Sequence, residues 1–399
     1  MAAARLCCLD LDTFFVSVER LLDPSLVGKP VVVGGRKGSR GVVTSCSYEV
    51  RPLGVRSGMP MLEAARLAPD ATFVPTRHAT YGPYAEKVRA VLDRFCPVVQ
   101  TASIDEFFLD FHGCERLYHR PGDADADATI ERVVREMREV IQAEVGLPAS
   151  AGIGTTRAIA KMGSGRAKPA GVRMIRAGEE RAFVDPLPVR RFPGIGEVAE
   201  AKLHEGGVFT LGQLLDGHRF PELREFVREG ISRGGPLGKD RPAFREHDTP
   251  GPGGSISNER TFFADVGERQ VAEDELRALC ERVTWRARKR GIRARTISLK
   301  LRYADFETLS RSRTIEATDE EERVREVATQ LLRDNWTRAT RVRLLGVALH
   351  NLVGADPQLA LPFGPARPRT GAAIDAVRAR FGYDAIRLGV AGDRRDWSG

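Results

Sequence analysis

Short apolar runs alternate with stretches of helical spacing through the first half of the chain. Residues 5–12, Arg-Leu-Cys-Cys-Leu-Asp-Leu-Asp, suit a buried strand, and a helix is expected from Thr13 to Leu22 with Asp12 or Thr13 capping it. Val31–Val33 and Gly41–Thr44 read as two further strands, with helical segments at Ser47–Arg51 and Leu62–Leu67. Between residues 97 and 112, two runs rich in valine, phenylalanine and leucine flank Ser103-Ile104-Asp105-Glu106, which predicts a β-hairpin with acids at its tip. Ala128–Val145 has an amphipathic helical pattern, and Ala149–Ile153 returns as a strand. Together these predict one α/β layer system, with segment 11–77 inserted after its first strand.

After Pro186 the pattern changes to short helices with Gly-rich turns, and residues 232–254 are dense in Gly, Pro and charge, the composition of a linker. Beyond it the expected order is strand 255–263, helix 267–290, strands 294–303 and 308–315, helix 318–335 and strand 341–351. That βαββαβ order suggests a ferredoxin-like layer with both helices on one face. Leu276, Leu279 and Val283 form the buried stripe of the first helix, and Val324, Val327 and Leu331 that of the second. The chain is thus an α/β and α+β multidomain protein.

Composition narrows the function classes. With 399 residues the chain holds several domains, and 42% hydrophobic with 29% charged residues is an ordinary globular balance. No apolar run reaches the ~18 residues of a membrane span, and no secretory signal pattern opens the chain. Cys7, Cys8, Cys46, Cys96, Cys114 and Cys280 lack CxxC spacing, which fits a reducing cytoplasm better than a zinc site or a disulfide framework. The formal charge of +8 is compatible with nucleic acid as a partner without requiring it.

Asp10 ends the first predicted strand, while Asp105 and Glu106 sit on the hairpin. Carboxylates on apolar β-structure are costly to bury and repel one another, a conflict that divalent cations resolve. Taken singly, Asp10 reads as a helix cap, and Asp105-Glu106 as a solvated turn. Their joint context decides otherwise. Leu9-Asp10-Leu11-Asp12-Thr13-Phe14-Phe15-Val16-Ser17-Val18-Glu19 resembles the opening motif of the Y-family translesion DNA polymerases, and Ser103-Ile104-Asp105-Glu106-Phe107-Phe108-Leu109-Asp110 their most diagnostic second motif. Ser45 to Arg51 and Gly54 to Pro60 resemble the family's fingers segment, and Gly152-Ile153-Gly154, Ala160-Lys161 and Ala167-Lys168-Pro169 the end of its palm. The likeness runs from about residue 5 to residue 350 and is closest to the polymerase IV (DinB) type.

The resemblance implies a right-hand polymerase: palm 1–10 and 78–166, fingers 11–77, a helical thumb 167–231 with a helix–hairpin–helix, linker 232–254, a βαββαβ little finger 255–353 and a tail 354–399. It makes Asp10, Asp105 and Glu106 the metal-binding acids with the Leu11 carbonyl beside them, and Glu106 the catalytic acid. Two Mg²⁺ per site are implied, with Mn²⁺ able to substitute. Phe14, Phe15, Ser45, Tyr48, Arg51 and Lys161 would contact the incoming dNTP, and a phenol, a guanidinium and an ammonium suit phosphate oxygens. Phe15 corresponds to the steric gate that excludes a 2′-hydroxyl by overlap, though alone it reads as a core phenylalanine at helical spacing. The family often has methionine or phenylalanine at position 11, a mild departure, since only the carbonyl is needed.

DNA would be held at two places. Pro193-Gly194-Ile195-Gly196 before a helix reads as a helix–hairpin–helix whose glycines, Gly194 and Gly196, let backbone amides approach phosphate. Residues 282–302 hold nine Arg or Lys and no acid. Arg293, Arg295, Lys300 and Arg302, with Arg311 and Arg313 on the next strand and Arg341 and Arg343 on the last, would lie on the DNA backbone. A plain solvated sheet is the alternative. Gln358, Leu359, Leu361 and Phe363 resemble the motif by which bacterial polymerases dock on a sliding clamp, or else fold back on their own domain; Ala372–Tyr383 beyond them predicts one amphipathic helix. The expected partners are primer–template DNA, dNTP and the clamp, with no membrane, for a cytoplasmic monomer. The chain's expected reaction is low-fidelity, template-directed DNA synthesis past damaged bases. A catalytically inactive clamp-bound adaptor and a non-enzymatic DNA-binding protein of the same fold are the rivals, separable by primer extension.

Overall fold

The computed structural model describes residues 4–232, 254–354 and 370–386. They belong to two compact units that divide after Glu246.

The first unit opens on β1 (Leu6–Leu11), buried on both faces: Cys7, Leu9 and Leu11 join one apolar cluster, Leu6 and Cys8 another. Helix α1 (Phe14–Leu22) follows Thr13, which stands at φ 45° and makes no side-chain cap. The expected cap is absent because the Asp12 carboxylate is used elsewhere and the Thr13 hydroxyl meets the Ser17 hydroxyl at 3.2 Å. The inserted segment builds its own sheet from β2 (Val31–Gly34), β3 (Val43–Cys46) and, after α2 (Met61–Leu67), β4 (Thr72–Pro75), in the order β3-β2-β4. A 3-10 helix over Tyr48–Leu53 replaces the helix expected at 47–51; Pro52 inside it cannot continue an α-helical ladder.

Helix α3 (His78–Phe95) leads back to β5 (Val99–Thr101) and β6 (Glu106–Asp110), then α4 (Glu115–Tyr118), α5 (Ala126–Val145), β7 (Ala149–Gly154), α6 (Arg157–Ala167) and β8 (Val172–Met174). The large sheet runs β5-β6-β1-β7-β8, so the first strand of the chain lies at its centre. Helices α3 and α5 cover one face through Tyr81, Val88, Leu92, Ile130, Val134, Met137 and Ile141. Helix α6 lies against β7, and only glycine fits there, since a Cβ on Gly152 would stand 2.1 Å from the Ala160 carbonyl oxygen. Strand β8 pairs parallel with β7, so the sheet continues past the boundary expected at residue 166. Helices α7 (Glu180–Val184), α8 (Glu197–Glu205), α9 (Leu211–Asp216) and α10 (Pro221–Ile231) gather around Phe192, Ile195, Leu203, Leu214 and Val227.

The second unit has the expected element order: β9 (Ser255–Val266), α11 (Arg269–Lys289), β10 (Ile292–Tyr303), β11 (Thr308–Thr318), α12 (Glu321–Asn335) and β12 (Val342–Gly354). Its sheet order, β11-β10-β12-β9, departs from the ferredoxin-like expectation. A ferredoxin-like sheet keeps its first and third strands at the centre. Here the second and fourth are central, and β12 is inserted between β9 and β10, antiparallel to both. The two helical stripes are buried as expected on one face of this sheet. Helix α13 (Thr370–Phe381) is tied to α11 by Arg288–Asp375 at 2.6 Å and by the buried Arg378–Glu281 pair. The linker expected at 232–254 and the motif at Gln358, Leu359, Leu361 and Phe363 lie almost wholly or wholly outside the described residues.

Candidate active site and nucleic-acid surface

Asp10 near the end of β1 and Glu106 at the start of β6 are direct partners in the antiparallel pair. Opposed residues share a face, so the two carboxylates stand side by side. The Leu11 N–H donates to the Asp105 carbonyl at 2.9 Å, which fastens the hairpin loop to the end of β1. The Asp105 carboxylate is turned to the Ser103 hydroxyl. Positive charge already sits on the pair: Lys168 bonds Asp10, and the Lys161 ammonium donates to Glu106 at 2.6 Å. Burial pushes the Asp10 carboxyl above its ordinary range, Lys168 pulls it back, and Asp105 and Glu106 push it up again. Burial alone would lower the Lys161 ammonium, but the Glu106 bond and charge outweigh it and leave it raised.

Among the described residues no three Asp, Glu, His or Cys side chains close into a metal cage. Two paired carboxylates with that of Asp105 near them form instead an open, all-oxygen set. Such a set suits Mg²⁺, which keeps coordination positions for water and substrate phosphate. The two lysines stand where cationic charge is required, so the residues present fit the group.

Asp12, 1% exposed, gathers the surroundings of this pair. It accepts from the Ser150 hydroxyl at 2.8 Å, the Ala170 N–H at 2.7 Å and the Tyr48 phenol at 3.2 Å. It therefore joins β7, the loop carrying Lys168, and the 3-10 helix of the inserted segment. The Arg51 guanidinium lies over the Tyr48 ring, 4.4 Å from its centre. Burial, and then the Asp12 charge, push the Tyr48 phenol well above its ordinary value, so it remains a hydrogen-bond donor. Ser45 is buried on β3 three residues before Tyr48.

Phe15 is half-buried, its ring stacked on Tyr81 with centroids 4.1 Å apart and planes 13° from parallel. Phe14 differs from expectation. Its ring is buried in the core with Leu9, Val31 and Tyr81, because at helical spacing it faces the sheet. Any nucleotide contact from Phe14 must then come from its backbone.

In the helical part, Gly194 stands at φ +103° and Gly196 precedes α8, as the hairpin reading expects. On the β9–β12 sheet, register assigns each basic residue to a face. Ile297, Leu299 and Leu301 are buried under the helices, while Lys300 and Arg302 lie on the open face with Ser298. Arg311 is paired with Leu299 and Arg313 with Ile297, so both are on the helix face, with Arg313 3.6 Å from Asp334 of α12. They do not join Lys300 and Arg302, and this corrects their grouping into one DNA-facing set. Arg293 and Arg295 are exposed on β10. Arg343 stacks on the Phe306 ring at 4.5 Å, and Arg341 lies just before β12. Lys300 reaches across Gly346 to Glu259 at 2.7 Å; a Cβ at Gly346 would stand 2.9 Å from Glu259 Cβ.

The impB/mucB/samB family matches residues 9–165, the C-terminal domain of that family 254–361, and the IMS family HHH motif 177–208. The chain belongs to this family, the Y-family DNA polymerases. It is of the polymerase IV (DinB) type. It is 35% identical over 399 residues to DNA polymerase IV of Dehalococcoides mccartyi (strain CBDB1), covering 98% of each chain. It is 38% identical over 352 residues to DNA polymerase IV of Streptomyces coelicolor, covering 86% of this chain and 70% of the other. Its fold is similar to that of the Y-family DNA polymerase chimera Dbh-Dpo4(243-245)-Dbh, with a TM-score of 0.70 at 24% identity over 88% of this chain and 99% of the other. No helix among the described residues is long and apolar enough to cross a membrane.

Within the candidate site, the sequence groups Asp10, Asp105, Glu106, Tyr48, Arg51 and Lys161, and the fold brings them near the ends of β1 and β6. Sequence reasoning missed Lys168, although Ala-Lys-Pro stands inside a quoted motif, and it spent Asp12 on a helix cap. Nothing in local spacing pairs residue 12 with residues 150 and 170.

Proposed function

We propose that this polymerase extends a primer on a template with dNTPs, past damaged bases and with low fidelity, by transferring a nucleotidyl group at Asp10, Asp105 and Glu106. The observation that carries the reading is the strand-paired Asp10–Glu106 carboxylates with two lysines, a phenol and a guanidinium arranged around them. When bound by Asp10, the Leu11 carbonyl, Asp105 and Glu106, two Mg²⁺ ions supply charge that activates the primer hydroxyl and steadies the departing pyrophosphate. Tyr48, Arg51, Lys161 and Lys168 take the triphosphate: the lysines release their carboxylates as phosphate oxygens arrive. Phe15 lies under the sugar and excludes a 2′-hydroxyl. Lys300 and Arg302 on the open face of the β9–β12 sheet, the exposed Arg293 and Arg295 farther along β10, and the Gly194–Gly196 hairpin hold the duplex by its phosphates.

Gln358, Leu359, Leu361 and Phe363 supply the docking motif for a sliding clamp. The adaptor and pure DNA-binding readings leave the paired carboxylates without a task. Primer extension on undamaged and lesion-bearing templates, beside Glu106→Ala, tests the proposal. Synthesis by Glu106→Ala at the parent's rate would overturn it.

A further inference from the structure

Phe15 and Glu19 are one helical turn apart on α1, on the side that meets α3. Arg77 and Tyr81 are likewise one turn apart at the start of α3. The four side chains form a square between the helices. The Tyr81 ring stacks on Phe15, and its phenol donates to Glu19 Oε1 at 2.8 Å. The Arg77 backbone N–H donates to the same phenol oxygen at 3.1 Å, and its guanidinium closes the square on Glu19 at 3.0 Å. Glu19 is 1% exposed and Tyr81 fully buried.

A carboxylate is an expensive choice at this depth, where any apolar residue could fill the space between two helices. It is matched here by three charge-assisted bonds, one from the phenol and a forked pair from the Arg77 guanidinium. The guanidinium holds the carboxylate, and the carboxylate in turn holds the phenol of one ring. The phenol oxygen is held from two directions, and Phe15 is stacked on the ring so held, nearly in parallel. His78 meets the Phe15 ring edge-on, with centroids 6.3 Å apart. Burial pushes the Tyr81 phenol up to about 12, the Arg77 N–H opposes this and the Glu19 bond adds to it, so the donor persists across the working range.

We propose that Glu19 is a positioning residue for sugar discrimination: it fixes Tyr81, and through Tyr81 the angle of Phe15 against the nucleotide. The inference rests on the reading of Phe15 as the steric gate. A gate that acts by overlap is only as selective as its ring is immobile, because a small tilt makes room for one hydroxyl. Glu19 touches no substrate and acts wholly through the stacked pair.

The test measures kcat/KM for a dNTP and its matching rNTP on one primer–template, with melting temperature, for the parent, Phe15→Ala, Tyr81→Phe, Glu19→Met and Glu19→Gln. Tyr81→Phe keeps the ring and removes only the hydroxyl, so it is the variant least able to disturb folding. The dNTP/rNTP ratio should fall about tenfold in Tyr81→Phe and Glu19→Met, equivalent to about 1.4 kcal/mol. Glu19→Gln retains an acceptor for the phenol and should keep the ratio within about threefold of the parent. If Phe15→Ala relaxes selection while Tyr81→Phe and Glu19→Met select as strictly as the parent, the square is structural and the inference is overturned. Equal loss in Glu19→Gln and Glu19→Met also overturns it, because the phenol's acceptor would then be irrelevant. If Phe15→Ala itself selects normally, the gate reading has failed, and that result is distinct from the other two.

Discussion

Replacing Lys300 and Arg302 by alanine tests which face of the β9–β12 sheet meets DNA. Each phosphate contact contributes roughly 0.9 to the slope of log affinity against log salt, so losing two should flatten the slope by about 1.8. Over a fourfold rise in salt, from about 50 to about 200 mM, the parent should lose about tenfold more affinity than the variant. Replacing Arg311 and Arg313 should leave the slope unchanged, because they pair with Leu299 and Ile297 on the helix face. A third variant sharpens the test. Lys300 is bonded to Glu259, with side chains 37% and 51% exposed, and exposed pairs are worth about 0.2–1 kcal/mol. Glu259→Gln should therefore free the ammonium and tighten DNA binding by at most about fivefold. Fluorescence anisotropy with a labelled primer–template, titrated at four salt concentrations, reads all three. A flattened slope in the Arg311/Arg313 variant with none in the Lys300/Arg302 variant would reverse the assignment of faces.

Asp105→Ala or Glu106→Ala should abolish nucleotide addition while gel-shift affinity for DNA stays near the parent's, since these acids hold no phosphate of the duplex. Changing Gln358, Leu359 and Phe363 together to alanine should leave extension of short primers intact and remove stimulation by a loaded clamp; a lowered melting temperature with full stimulation would instead mean that the segment packs on its own domain. Arg378→Met removes the buried Arg378–Glu281 ion pair and should destabilise the second unit in denaturant unfolding, by at most about 3–5 kcal/mol, whereas replacing both residues by methionine should restore most of it.

Element types were legible where a hydrophobic period ran undisturbed, as in α5, α11 and α12, and the stripes expected on α11 and α12 are all buried. The face of β11 is legible in its parity too. Leu309 and Ile315, which pack on the core, share the odd positions with Arg311 and Arg313, leaving Ser310, Ser312 and Thr314 for the open side. What spacing cannot carry is order within a sheet. The pairing of β12 between β9 and β10 is a long-range choice, and the same βαββαβ pattern satisfies either arrangement. Asp12 failed for a related reason. A carboxylate before a helix is ordinarily its cap, and only the fold brings Ser150, Ala170 and Tyr48 around it.

Strand β1 lies at the centre of its sheet, between β6 and β7, although it is made before either of them. Asp12 and its partner Ser150 are 138 residues apart, which at about 5–20 residues per second is about 7–28 s of synthesis on the ribosome. Through that interval the apolar segment Leu6–Leu11 has no neighbour on one side, and Asp10 has neither Glu106 nor Lys168 beside it for most of the time. The acidic site thus cannot exist on a short nascent chain. It is assembled late, when β7 and the loop after α6 arrive, and the first strand is open to mispairing or chaperone capture until they do.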